Sequence, residues 1–74
     1  MSNTAENYLA DLGAEMTLLA KEAQRTAKAG DAFSKGRQMA FYEALTLMKE
    51  QAEAFGLDAA AVGLEGVNLE DLLK

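Results

Sequence analysis

The chain has 74 residues, a net charge of −5, and no cysteine, histidine or proline. A domain this small buries only about 60% of the surface that its unfolded chain exposes, so its stability needs dense packing or a partner chain. The lack of cysteine and histidine excludes disulfides, zinc sites and haem ligation, and it removes the commonest catalytic nucleophile and base. We therefore predict that the protein is not an enzyme and binds no metal or cofactor.

Three glutamates of the predicted second helix, Glu43, Glu50 and Glu53, come nearest to a metal-binding pattern. Glu50 and Glu53 lie about one helical turn apart. A di-iron site in a helix bundle also needs histidine ligands, and the chain has none. We interpret these glutamates as part of a solvated helix face.

The sequence contains no recognisable membrane or targeting segment. Its longest apolar stretches, such as Ala59 to Val62, are far too short to span a membrane. The first six residues lack the basic region and the apolar core of a signal peptide. We therefore expect a cytoplasmic protein that does not contact a membrane. The negative net charge argues against nucleic-acid binding over the whole surface.

Strong helix formers dominate the composition, which predicts an all-α fold. A first helix is predicted over about 4–29, where Asn3 and Glu6 form a capping box and Gly30 ends the helix. Gly13 is expected on the side of this helix that faces away from the core. Apolar side chains at steps of three and four residues mark the face that forms the core or the dimer interface, chiefly Leu9, Leu12, Met16 and Leu19.

A turn over 30–34 is predicted to lead into a second helix over about 35–55, capped by Asp31 or Ser34. Its apolar face is wider than one neighbouring helix can cover, because two ridges lie side by side along it. The first ridge contains Phe41, Leu45, Met48, Ala52 and Phe55, and the second contains Ala40, Ala44, Leu47, Gln51 and Ala54.

The segment 57–74 is predicted to form a tail of two short helical turns, capped by Asp58 and Asn68. The short turn between the long helices makes them an antiparallel hairpin. Either the tail folds back over the wide apolar face, or two copies pair there as a four-helix bundle. We favour a homodimer, with the tail packed across the bundle.

Charge is distributed unevenly along the sequence. Segment 21–37 holds five bases and two acids, for a net charge of +3, whereas segments 1–20 and 38–74 carry −3 and −5. The turn of the hairpin is therefore a basic tip on an acidic body. As partner-binding residues we predict Arg25, Lys28, Lys35 and Arg37 on the tip, with Met39 and Tyr42 at the edge of the interface.

The basic tip has two interpretations. Ser34, Lys35, Gly36 and Arg37 could place amide groups and two cations at a helix N-terminus, which is the pattern of an anion pocket. The plainer interpretation is a solvated turn, in which Arg37 pairs with a carboxylate. The three phenylalanines are expected in the core: Phe33, Phe41 and Phe55.

These features predict a small protein-interaction or regulatory module. An unidentified protein partner would bind through the apolar face, while the basic tip attracts acidic groups. The alternative is a regulator that binds phosphate or nucleic acid through the tip. Nucleic acid is the weaker interpretation, because no aromatic side chains are interleaved with the basic residues.

The second half of the chain carries a recognisable pattern. It reads F-x-K-G-R-x-x-A-x-Y-E from Phe33, then Q-A-x-x-F-G from Gln51, with a Leu72–Leu73 pair in the tail. In this pattern residues 33–74 resemble short, uncharacterised bacterial all-helical proteins. No activity is known for that group, so the resemblance implies a free-standing bacterial cytoplasmic protein and transfers no catalytic residue.

Overall fold

Two long helices joined by a short turn form the body of the protein. They are α1 (Thr4–Ala27) and α2 (Ala32–Ala54), in a computed structural model that describes residues 3–74. No strand occurs within that range, so the predicted all-α hairpin is confirmed. The signal-peptide prediction rests partly on Met1 and Ser2, which lie outside the described residues.

Side-chain caps define where both long helices begin. The Asn3 side chain accepts a hydrogen bond from the Glu6 amide at 2.8 Å, at the start of α1. At the start of α2, the Asp31 carboxylate accepts the Ser34 amide at 2.8 Å and the Ser34 hydroxyl at 3.0 Å. Because Asp31 is the cap, α2 begins three residues earlier than predicted, and Lys35 is its fourth residue.

The tail folds back along one side of the hairpin. It contains two 3-10 helices, Ala59–Val62 and Leu69–Leu73, which begin at the capping side chains of Asp58 and Asn68. Its apolar residues complete the core around Leu45, which is fully buried. The buried members of this core are Ala20, Leu45, Ala52, Val62, Leu64 and Leu72.

The first 3-10 helix approaches α1 backbone to backbone at two glycines. A β-carbon on Gly13 would overlap the carbonyl oxygen of Val62, and one on Gly63 would overlap the carbonyl oxygen of Ala10. Gly63 also has φ +76°, a conformation that glycine adopts without strain. The prediction that Gly13 faces away from the core is therefore wrong, because the tail packs on its side of α1.

The second 3-10 helix is held by two glutamine side chains, one from each long helix. The Gln24 amide donates to the carbonyl oxygen of Asp71 at 2.5 Å. The Gln38 amide donates to the carbonyl oxygen of Leu72 at 2.6 Å. These bonds satisfy carbonyl groups at the end of a short helix, and they fix the tail across the groove between α1 and α2.

Several residues of the predicted core face do contribute to the core of this chain. Leu45 is completely buried, and Met16, Phe41 and Met48 pack against the buried cluster while remaining partly exposed. Leu12 is half-buried but is not among the side chains that pack against this cluster.

The core prediction is wrong for Phe33 and Phe55, which are 80% and 77% exposed. Leu9 and Leu19, predicted on the core or dimer face of α1, are exposed in the single chain. The buried side of α1 consists instead of small residues, Gly13, Thr17, Ala20, Ala23 and Ala27. Small residues occupy it because the tail and α2 both approach α1 closely, which leaves no room for leucine.

Within residues 3–74, no helix combines the length and the apolar character needed to cross a bilayer.

Candidate functional site

The second apolar ridge of α2 is not covered by any part of the chain that the structure describes. Leu47 is 57% exposed, whereas Leu45, two positions earlier, is completely buried. Two positions turn an α-helix by about 200°, so Leu47 lies on the side away from the core. Ala40 and Ala54, on the same ridge, are exposed as well, and Ala44 is half-buried.

Apolar residues of α1 extend this surface, so that it includes both helices of the hairpin. Tyr8, Leu12 and Leu19 recur at steps of four and seven residues and are exposed or half-buried. They lie away from Gly13, against which the tail packs. We call the combined surface the open face and define it by Tyr8, Leu12 and Leu19 of α1 and by Phe33, Ala40, Ala44, Leu47 and Phe55 of α2.

An apolar groove of about 300 Å³ lies at the end of the hairpin far from the turn. The end of α2 forms one wall and Leu9 of α1 forms part of another, while the beginning of the tail closes it. Its lining is Leu9, Leu47, Met48, Gln51, Ala52, Phe55, Leu57 and Val62. Solvated apolar concavities of this kind mark sites for apolar ligands or partner side chains.

The structure separates the predicted residues of the basic tip into different surroundings. Arg25 forms an ion pair with Glu22 at 2.7 Å. That hydrogen bond lowers the pKa of the Glu22 carboxyl and raises the pKa of Arg25. Arg37 lies over the ring of Phe41, with the guanidinium carbon 5.3 Å from the ring centre. The expected pairing of Arg37 with a carboxylate is therefore replaced by a contact with an aromatic face.

Lys28 and Lys35 lie together on the side of the hairpin that carries the tail. They line a groove of about 370 Å³ with Met39, Leu73 and Lys74. The side chain of Lys74 is paired with Asp71 at 2.9 Å, and this contact raises the pKa of Lys74. The groove thus joins apolar side chains to cations from both helices, which suits an acidic and partly apolar ligand.

Tyr42 lines a separate depression on the same side of the hairpin. This depression, of about 470 Å³, also contains Thr46, Lys49 and residues of the tail. Tyr42 and Met39 therefore border the tail and not the open face. The hydroxyl of Thr46 is buried and has no hydrogen-bond partner among the described residues.

A carboxylate of the chain itself caps the N-terminus of α2, where an anion pocket was considered. The Asp31 carboxylate already accepts the amide of Ser34, and the amide of Lys35 donates to the Asp31 carbonyl oxygen at 3.1 Å. The Ser34 amide, followed by the Ser34 hydroxyl, lowers the pKa of Asp31. A negative charge of the chain itself therefore occupies the position in which a phosphate would sit.

Within residues 3–74, no three acidic side chains come together in an arrangement that could hold a metal ion. Glu50 and Glu53 line the depression beside Tyr42, together with Lys49.

No protein-family model, curated protein or solved structure matches this chain. The resemblance of residues 33–74 to short bacterial helical proteins therefore stays a prediction. The assignment of the candidate site therefore depends on the structure of this chain alone.

Sequence reasoning missed the apolar groove and the two glutamine contacts to the tail. The groove depends on where Leu57 and Val62 fall once the tail has folded back, and no helical period links them to Leu9. Gln24 and Gln38 are ordinary residues for a helix surface. The one feature of the sequence that could have indicated their contacts is their position, because each lies among the small or apolar residues that face the tail.

Proposed function

We propose that this chain is a non-enzymatic, cytoplasmic protein-interaction module that binds another protein chain through the open face. One observation carries the proposal. The tail covers one side of the hairpin and leaves the other side with exposed Leu47, Phe33 and Phe55. Monomeric proteins rarely leave a large contiguous apolar surface in water, because its burial is favourable by about 25 cal/mol per Å².

The proposal includes a homodimer in which two hairpins pair through their open faces as a four-helix bundle. The ridge spacing of four and three residues on α2 is the spacing by which helices pack side by side. Ala40 and Ala44 would let the backbones of the two chains approach closely. A second chain on this face would also supply the buried surface that a 74-residue domain lacks.

The basic tip would contribute charge recognition to the same module. Lys28 and Lys35 would attract an acidic segment of a partner, while the neighbouring Met39 and Leu73 contact its apolar side chains. Regulation through a bound phosphate or nucleic acid is the second candidate. It has less support, because the Asp31 carboxylate caps the helix end that would receive a phosphate.

The test compares the wild-type chain with Leu47→Lys on the open face and with the control Leu18→Lys. Leu18 is 60% exposed and lies outside the open face. Light scattering across a concentration series gives the solution mass, and capture by the immobilised chain reports other partners. We expect Leu47→Lys to abolish association that Leu18→Lys leaves intact. If no association depends on Leu47, the proposal is wrong.

The contribution of the tip is tested separately by Lys35→Glu combined with Arg37→Glu. The double variant should lose acidic partners and keep its fold, because Lys35 is exposed and half-buried Arg37 gives up a contact with the Phe41 ring worth about 0.5–1 kcal/mol. A set of partners identical to that of the wild type would show that the tip is only a solvated turn.

A further inference from the structure

Phe33 is the most exposed large apolar side chain of the described residues. It lies in the first turn of α2, next to the turn of the hairpin, and is 80% exposed. Aromatic side chains that fill a pocket are among the strongest anchors of protein interfaces. In this position Phe33 projects from the basic end of the molecule and leaves most of its surface in solvent.

The apolar groove lies at the opposite end of the same α2 helix. Leu47, Gln51 and Phe55 place it along the last turns of α2, and Leu9 and Leu57 enclose it. Phe33 of the same chain cannot reach this groove. It is 18 residues from Gln51, which corresponds to ~27 Å along the helix.

A second copy that lies antiparallel on the open face would bring Phe33 of each chain to the apolar groove of the other, which gives two such contacts in one dimer. A two-fold axis across α2 at the midpoint between Phe33 and Gln51 falls at position 42, between Ala40 and Ala44. Each chain then places its Phe33 at the level of the other chain's groove. The small side chains of Ala40 and Ala44 are near the axis, where two α2 helices approach most closely.

The distribution of charge favours the same orientation. Segment 21–37, at the turn, carries a net charge of +3, while segment 1–20, which begins at the other end, carries −3. An antiparallel pair sets the positive end of each copy against a negative end of the other. A parallel pair would set positive ends against each other, at a cost in free energy.

We infer that the occupant of the open face is a second copy of this chain, docked antiparallel, with Phe33 of each copy in the apolar groove of the other. This inference rests on the proposed function and adds the partner, the orientation and the anchoring residue. Phe33 belongs to the interface, and the prediction that it lies in the core of its own chain is replaced by this role.

The first experiment measures the dissociation constant of the dimer by sedimentation for the wild type, Phe33→Ala and the control Leu18→Ala. Both variants remove an exposed side chain, so both should fold. We expect Phe33→Ala to weaken the dimer at least tenfold and Leu18→Ala to change it less than twofold. Raising the salt concentration from 50 to 500 mM should weaken the wild-type dimer, because the two ends attract through charge. Equal effects of the two substitutions would overturn the inference.

The second experiment determines the orientation by cross-linking, which the chain permits because it has no cysteine. Ala32→Cys marks the position next to Phe33, and Gln51→Cys marks the groove. A short bismaleimide should join the two variants when they are mixed and should not join Ala32→Cys chains to each other. Efficient cross-linking of Ala32→Cys alone would show a parallel dimer and overturn the inference.

The two proposals fail in distinguishable ways. A chain that is monomeric at every concentration, yet captures another protein only when Leu47 is intact, overturns the second-copy inference and supports the interaction module. A monomer with no partner that depends on Leu47 overturns both. A dimer unaffected by Leu47→Lys shows that a different surface is used.

Discussion

The carbonyl oxygen of Val62 occupies the space that a β-carbon on Gly13 would need. The contact joins the middle of α1 to the end of the first 3-10 helix, and it is made by backbone atoms on both sides. Because neither partner is a side chain that could rotate away, the distance between tail and helix depends on the absence of a side chain at Gly13.

The first prediction compares alanine at two helical glycines. Gly13→Ala should lower the free energy of unfolding by about 2 kcal/mol, because the methyl group forces the tail away from α1. Gly36→Ala, in α2 with open space around it, should raise that free energy by about 0.5–1 kcal/mol through helix propensity. Urea denaturation measures both values. Equal stabilisation by the two substitutions would contradict the packing of the tail against Gly13.

The second prediction concerns the glutamine that holds the end of the tail. Gln38→Ala removes a part-buried hydrogen bond of about 1 kcal/mol to the Leu72 carbonyl oxygen. Amide hydrogen exchange in the second 3-10 helix should therefore accelerate about fivefold. Glu43→Ala is the control, since Glu43 is an exposed residue of α2 and belongs neither to the open face nor to the apolar groove. Unchanged exchange in Gln38→Ala would show that the tail is held by apolar contacts alone.

The third prediction compares two threonine hydroxyls. The Thr17 hydroxyl is buried and donates to the carbonyl oxygen of Gly13 at 2.9 Å, so Thr17→Val should cost about 1 kcal/mol of stability. Thr46→Val should be neutral or stabilising, because the Thr46 hydroxyl has no partner among the described residues. Thermal unfolding of both variants tests this. A loss of stability in Thr46→Val as large as that in Thr17→Val would contradict the assignment.

The fourth prediction concerns the cap of α2 and its dependence on pH. Hydrogen bonds from the amide and the hydroxyl of Ser34 lower the pKa of Asp31 in the folded chain. A carboxyl with a lowered folded pKa stabilises the protein above its unfolded pKa of about 3.9, and this contribution disappears as the pH falls through the folded value. Asp31→Asn keeps a capping side chain that does not titrate.

Denaturation of the wild type and Asp31→Asn across pH 2–7 measures the effect of Asp31. The difference in stability between the two proteins should be constant near neutral pH and should change below about pH 4, where the wild type loses the contribution of the charged cap. A difference that is independent of pH over the whole range would show that the lowered pKa of Asp31 does not affect stability.

The local structure followed from the sequence because its signals are local. Asn3, Asp58 and Asn68 cap the elements that they were expected to cap, and the helix-forming composition gave the all-α hairpin. The start of α2 was ambiguous, since Asp31 and Ser34 are both good capping residues. The structure resolves the ambiguity by making Ser34 the donor to Asp31.

The arrangement around α1 could not be predicted from hydrophobicity. The large residues Leu9 and Leu19 suggested the buried side, yet the side that packs most closely contains Gly13, Ala20 and Ala27. Close approach of two backbones favours small residues. A hydrophobic pattern does not distinguish a helix side made of small, buried residues from one made of polar residues. The position of the open face on α1 depends on which side of this helix is buried, so it could not be predicted either.

The contacts of the tail suggest an order of folding. The hydrogen bond from Gln24 to the carbonyl oxygen of Asp71 joins residues 47 positions apart, whereas the hairpin closes over a turn of a few residues. Closing a long loop costs chain entropy before its contacts form, so we expect the hairpin to form first and the tail to dock afterwards. In unfolding we expect the tail to detach first, which would remove side chains that cover Leu45 from the hairpin that remains.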